Sequence, residues 1–120
     1  MVVCATQKAM RNLHLEPDEI HAPPSADTQH WYANLIRVQR VKYYLLTESA
    51  SLVTVIFPAK GLTSGRRFAA AASNVIRNYL ARRAWERLLA TRIDVDPTGI
   101  VICRTLDKRV LGSMNDFAWQ

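Results

Sequence analysis

The sequence predicts an α+β domain: an antiparallel sheet of four to five strands, one long helix packed across a face, and short helices at the termini. Three consecutive runs rich in aromatic and β-branched residues, separated by gaps of hairpin length, indicate the sheet. A long stretch with helical periodicity follows, and a Pro-Gly turn then starts another strand-like run. With 120 residues, 49% of them hydrophobic, we expect a single domain spanning 1–120.

The N-terminal part predicts a strand, a brief helix and a loop. Val2–Ala5 is a short apolar run, and Thr6 offers a hydroxyl as N-cap to a helix over Gln7–Leu13. From Glu16 to Gln29 the composition turns polar and includes Pro17, Pro23 and Pro24. We therefore expect an irregular surface loop there.

The central part predicts an antiparallel meander of three strands, Trp31–Val38, Lys42–Thr47 and Leu52–Phe57. Side chains alternate across a strand, and the middle run is apolar on both faces, which predicts an inner strand covered on both sides. Pro58 ends the third run because it lacks an N–H donor.

The C-terminal part predicts a turn, a strand and the start of a helix. Asp96–Gly99 has the residue order of a type I turn and leads into a strand over Ile100–Thr105. Ser113–Asp116 fits a helix-capping pattern, in which a hydroxyl is followed three residues later by an acid.

The long helix, expected over Ser64–Arg92 with Ser64 as N-cap, changes its apolar face halfway along. Phe68, Val75 and Tyr79 form a core-facing stripe at helical spacing. After Asn78 the side that had been polar carries Trp85, Leu88 and Leu89. Three explanations compete: the helix breaks near Asn78, its second half packs on a second body, or the Arg stems lie on apolar surface. The absence of Pro or Gly from Arg66 to Arg92 disfavours a break.

We prefer packing on a second body, and a second copy of the chain is the body we expect. The patch formed by Trp85, Leu88 and Leu89 would be bare on a monomer, and an isologous contact would bury it. The open alternative is a curved helix covered by the C-terminal segment around Trp119. The sequence therefore predicts a homo-oligomer with Trp85, Leu88 and Leu89 at its interface.

The net charge predicts an alternative partner. Ser64–Arg92 holds seven arginines and one acid, so it alone accounts for the formal charge of +6. Arg82, Arg83 and Arg87 of the Arg-rich helix 66–92 would contact phosphates if the protein were a nucleic-acid-binding accessory protein. An ordinary solvated face, with Arg82 paired to Glu86 four residues later, gives the same composition.

The chemical motifs are weak, which favours a non-catalytic role and leaves catalytic residues unknown. Cys4 and Cys103 lie in apolar runs and are expected to be small buried side chains. The three histidines lack metal-ligand spacing, so we expect no metal and no cofactor. Gly61–Arg66 only faintly resembles a phosphate loop, since Arg stands where the motif needs Lys. An enzymatic role stays open as a third hypothesis, beside the binding or assembly module and the nucleic-acid-binding protein.

The hydropathy pattern favours a cytoplasmic protein without a membrane partner. No apolar run approaches the length of about 20 residues that a membrane span needs. The segment Met1–Met10 lacks a charged leader followed by an apolar stretch.

Several sequence blocks, taken together, resemble a bacterial family of unknown function. The blocks occur in the family's order, and the words W-Y-A-N-L and V-L-G-S-M-N-D within them are distinctive. In chain order, the blocks are Thr6 with Lys8, Trp31–Leu35, Lys42–Glu48, Arg104 with Thr105, and Val110–Asp116. The resemblance implies a small α+β domain of bacterial origin and no particular activity. We separately expect a mobile-element source such as an integron cassette. The prediction is a non-catalytic binding or assembly module that forms a homo-oligomer and presents a pocket or groove to a small-molecule ligand of unknown identity.

Overall fold

The computed structural model describes residues 1–25, 28–82 and 99–104. It confirms the α+β class. The elements in chain order are β1 (Val2–Ala5), α1 (Gln7–Asn12), a 3₁₀ turn (Pro17–Glu19), β2 (Ile20–His21), β3 (Trp31–Val38), β4 (Val41–Glu48), β5 (Thr54–Pro58), α2 (Gly65–Ala81) and β6 (Val101–Arg104).

The sheet has six strands in the order β2-β6-β1-β3-β4-β5. The predicted meander is present, because β4 pairs antiparallel with both β3 and β5. The sheet as a whole is mixed rather than antiparallel, since β1 pairs parallel with β3 and β6, and β2 pairs parallel with β6. A parallel pair needs a crossover of a dozen or more residues, and α1 with the segment after it provides that crossover between β1 and β3.

The segment predicted as a loop, Glu16–Gln29, contains two short regular elements. A 3₁₀ turn begins with Pro17 at its first position, and the Glu16 N–H donates to Oε1 of Glu19 at 3.1 Å. The two residues of β2 follow and pair with Ile102 and Cys103 of β6. A two-residue strand is too short to show alternation, so only its partner reveals it.

Two of the three predicted helix N-caps, Thr6 and Ser64, are confirmed, and the third, at Ser113, lies outside the described residues. The Thr6 hydroxyl accepts from the Ala9 N–H at 3.3 Å, and the Ser64 hydroxyl accepts from the Arg67 N–H at 3.2 Å. Each bond satisfies a donor that the first helical turn leaves unpaired. Helix α2 spans Gly65–Ala81, and the rest of the predicted helix, 83–92, lies outside the described residues.

The main core lies between one face of the sheet and the two helices. Phe68 of α2 meets Tyr44 of β4 edge to face, with ring centroids 4.8 Å apart, and Phe57 of β5 lies 6.0 Å from Phe68. The predicted stripe on α2 is confirmed, since Phe68 is fully buried and Val75 and Tyr79 are partly buried against this core. We call this side of the sheet the helix face.

The opposite side, the second face, carries its own buried cluster of Cys4, Tyr32, Leu45 and Cys103. Alternation along the strands places these side chains opposite α1 and α2. Strand β4 therefore buries Tyr44 on the helix face and Leu45 on the second face. The prediction that this strand is an inner one with two apolar faces is confirmed.

Candidate binding surfaces

Three exposed apolar side chains lie on the second face, two at the tip of the β3–β4 hairpin and one on β5 opposite Leu45, four residues further along β4. Val38 and Val41 are paired across the hairpin and are 43% and 47% exposed, and Ile56 on β5 is 51% exposed. Between them in the register stand the half-buried Tyr43 and the exposed Pro58. We call these five residues the hairpin patch.

The turn that carries the patch is held in a left-handed conformation by two residues with side chains. Gln39 and Arg40 have φ of 49° and 69°. A two-residue hairpin with positive φ at both positions is the type I′ turn, in which Asn-Gly is the usual choice because these residues enter that region most easily. Gln39 and Arg40 therefore hold a strained backbone conformation, and the cation of Arg40 lies at the tip of the turn.

Exposed cations lie at the same end of the sheet as the hairpin patch, and two of them, Arg37 and Lys42, pair across the hairpin and alternate onto the helix face. The sequence from Asn34 to Thr47 contains Arg37, Arg40 and Lys42 and no acidic residue, and Lys60 follows β5 closely. All four side chains are exposed. This corner of the molecule thus combines apolar side chains with charge of one sign.

A groove of about 800 Å³ lies elsewhere, at the N-terminal end of α2. Acidic side chains from the 3₁₀ turn line one part of it, and Ser64, Gly65 and Arg66 of α2 line another. A Cβ on Gly65 would lie 3.5 Å from Ile102 Cδ1, an ordinary van der Waals contact. The polar side chains that line the groove are exposed or half-buried, so none is held buried toward it.

The residues predicted from the sequence to form binding sites fall mostly outside the described structure. Arg82 is the C-cap of α2 and is exposed. The other five lie in the segment 83–98, which is outside the described residues, as is the capping block Ser113–Asp116: they are Arg83, Arg87, Trp85, Leu88 and Leu89.

Cys4 and Cys103 are both free and both buried, as predicted. They are also register partners on the neighbouring strands β1 and β6, which the sequence did not predict. Burial, with a smaller contribution from Cys103, raises the pKa of the Cys4 thiol to about 12, and burial also raises the pKa of Cys103. Both groups are therefore thiols at neutral pH and are poor nucleophiles.

Tyr44 joins three parts of the chain through its hydroxyl group. The hydroxyl accepts from Nδ2 of Asn12 in α1 at 2.6 Å and donates to the carbonyl oxygen of Leu62, which precedes α2, at 2.9 Å. The ring is fully buried between the same elements. The aromatic pattern predicted a buried residue here but not this hydrogen-bonded junction.

Two features are absent from the described ranges. No group of three or more His, Cys, Asp or Glu side chains in residues 1–25, 28–82 and 99–104 is arranged to hold a metal ion. None of the helices described there is long and apolar enough to cross a membrane.

Comparison with known proteins identifies a family but assigns no activity. Neither the curated proteins nor the solved structures include a significant match to the chain. A family model described as a domain of unknown function (DUF6933) matches residues 2–120. The match spans nearly the whole sequence, so the protein belongs to the DUF6933 family.

Proposed function

We propose that the protein is a non-catalytic binding module and that an acidic segment of a partner protein docks on the hairpin patch. The observation that carries this proposal is the cluster of exposed Val38, Val41 and Ile56 on one face of the sheet. Aliphatic side chains exposed together at a sheet corner indicate an interaction site more strongly than single exposed ones do.

Charge complementarity selects the partner. A second copy of the chain would add to the positive charge at this end of the sheet, whereas an acidic segment would neutralise Arg40, which lies in the turn between Val38 and Val41. Strand β5 is the last strand at this edge of the described sheet, so an extended segment has backbone groups to pair with beside Ile56. The exposed side chains of the patch carry no aromatic ring and Tyr43 is half-buried, so bases have little surface to stack on, which makes nucleic acid a poorer occupant of this patch.

A labelled peptide in which glutamates alternate with leucines tests the proposal by fluorescence anisotropy. We expect the wild type to bind the peptide and the double variant Val38→Ser/Val41→Ser to bind it about tenfold more weakly. The variant keeps the cations at this end of the sheet but loses the apolar contact of two valine side chains. Leu52→Ser is the matched control, because Leu52 is 53% exposed but lies outside the patch, and its affinity should equal that of the wild type.

Three outcomes would contradict the acidic-segment proposal. One is failure of the wild type to bind the peptide, and another is binding by the double variant that is as tight as that of Leu52→Ser. Patch-dependent binding of anionic vesicles in preference to the peptide would assign the patch to a lipid surface. Duplex DNA is a separate probe: binding that is insensitive to the valine changes but weakened by Arg82→Ala supports the alternative role as a nucleic-acid-binding accessory protein through Arg82, Arg83 and Arg87.

We also propose that the module self-associates through Trp85, Leu88 and Leu89, on the evidence of the apolar face that rotates along the sequence. Light scattering should show a dimer or larger assembly for the wild type and a shift toward monomer for Trp85→Ala. Arg82→Ala, a change near the same segment that keeps the apolar side chains, should leave the mass unchanged. A wild-type monomer at high micromolar concentration contradicts this proposal.

The same proposal includes the source and the compartment of the protein. The sequence blocks at Trp31–Leu35 and Val110–Asp116 support a bacterial origin, with a mobile element such as an integron cassette as the carrier. The hydropathy pattern supports a cytoplasmic location.

A further inference from the structure

The paired cysteines form the most distinctive chemical feature of the second face. Cys4 and Cys103 are register partners on parallel strands, each is 2% exposed, and both belong to one buried cluster. Their surroundings are Tyr32 and Leu45, with Val2 and Val101 packed against the cluster. We propose that this pair is a two-coordinate site for a soft, thiophilic cation that binds two sulfur atoms in line, of which Hg(II) and Cu(I) are the examples.

The strand geometry favours a metal bridge over a disulfide. Neighbouring strands lie about 4.8 Å apart, and the side chains of two paired residues leave the strands in roughly parallel directions. A disulfide needs its two Cβ atoms about 3.8 Å apart, so it would pull the strands together. Two metal–thiolate bonds of about 2.3 Å each, the length known for zinc, span about 4.6 Å in line and fit the strand spacing.

The ligand set selects the class of metal. In the described part of the chain no third His, Cys, Asp or Glu joins the two thiols in a metal-binding group, and His21, the next residue in the same register row on β2, is exposed. A tetrahedral Zn²⁺ site therefore lacks its ligands. Thiolate sulfur selects soft cations, and two sulfurs suffice for those that bind in line.

The net charge of the complex of the metal with the two thiolates indicates which cation, Hg(II) or Cu(I), binds more tightly. Two sulfur–hydrogen bonds break, two sulfur–metal bonds form, and two protons leave to solvent, with no change of oxidation state. A divalent cation then gives a neutral unit, whereas Cu(I) leaves one negative charge among apolar side chains. Burying a charge without a partner is costly, so we expect Hg(II) to bind more tightly than Cu(I).

Titration of the reduced, metal-free protein tests the site, because Cys4 and Cys103 are the two cysteines of the whole chain. HgCl₂ in one arm and Cu(I) supplied as its acetonitrile complex in the other should each bind at one ion per chain. Sulfur-to-metal charge-transfer absorption reports the bond, and the thermal midpoint of unfolding should rise with loading.

The variants Cys4→Ser and Cys103→Ser separate the paired site from a single reactive thiol. Each should lose the in-line binding in both arms while far-ultraviolet circular dichroism stays that of the wild type. Leu45→Ala is the matched control, since it loosens the same cluster but keeps both thiols, and it should still bind one ion. Equal binding by either serine variant, or two ions per wild-type chain, overturns the proposal. If a serine variant does not fold, wild-type stoichiometry and the sulfur–metal–sulfur distances from X-ray absorption decide it.

Discussion

Replacing Phe68 with alanine should lower the free energy of unfolding by about 3–5 kcal/mol. Phe68 is fully buried at the centre of the helix-face core, where its ring meets Tyr44 and Phe57. Truncation removes apolar contact and leaves a cavity between α2 and the sheet, and it also ends an edge-to-face ring contact. Urea unfolding followed by circular dichroism measures the change.

Arg67→Ala is the matched control on the same helix. Arg67 is adjacent to Phe68 but exposed, and only its backbone N–H contacts the Ser64 cap. Its replacement should change the unfolding free energy by no more than about 0.5 kcal/mol. Equal effects of the two changes would mean that α2 does not pack on the sheet through Phe68.

Replacing Tyr44 with phenylalanine should cost about 1–3 kcal/mol although it removes a single oxygen atom. The ring and its packing are kept, but the Leu62 carbonyl loses its donor and the Asn12 amide loses its acceptor. The variant therefore isolates the junction between α1, β4 and the segment before α2. Chemical denaturation of the wild type and the variant gives the difference.

Tyr43→Phe is the control for the same chemical change one residue away. Tyr43 is half-buried on the second face, so its replacement should have a smaller effect than that of Tyr44. A double-mutant cycle with Asn12→Ala should show a coupling energy of about 0.5–3 kcal/mol with Tyr44→Phe. Strict additivity would show that the Asn12–Tyr44 hydrogen bond contributes nothing to stability.

Much of the fold was predictable because its signals are local. The caps at Thr6 and Ser64 are short-range hydrogen bonds, and the three central strands carry alternation and hairpin-length gaps within their own residues. The core stripe of α2 follows from helical spacing alone. The sequence predicted two apolar faces for the middle strand by the same reasoning.

The candidate surfaces were less predictable. Val38, Val41 and Ile56 are single residues in three separate strands, and each looks like an ordinary strand residue on its own. Their common exposure depends on the register of β3, β4 and β5 and on the end of the sheet at which they lie. The interface and phosphate-contact residues predicted between Arg83 and Leu89 stay predictions, since they lie outside the described residues.

The sequence by itself determined the α+β class, the helix caps, the antiparallel meander and the core face of α2, because each depends on residues close together in the chain. Only the tertiary structure decided that the sheet is mixed, that β2 exists, and that Cys4 meets Cys103 across a separation of nearly the whole chain. Parallel pairing joins strands that are distant in sequence, so no local pattern records which strand lies beside which.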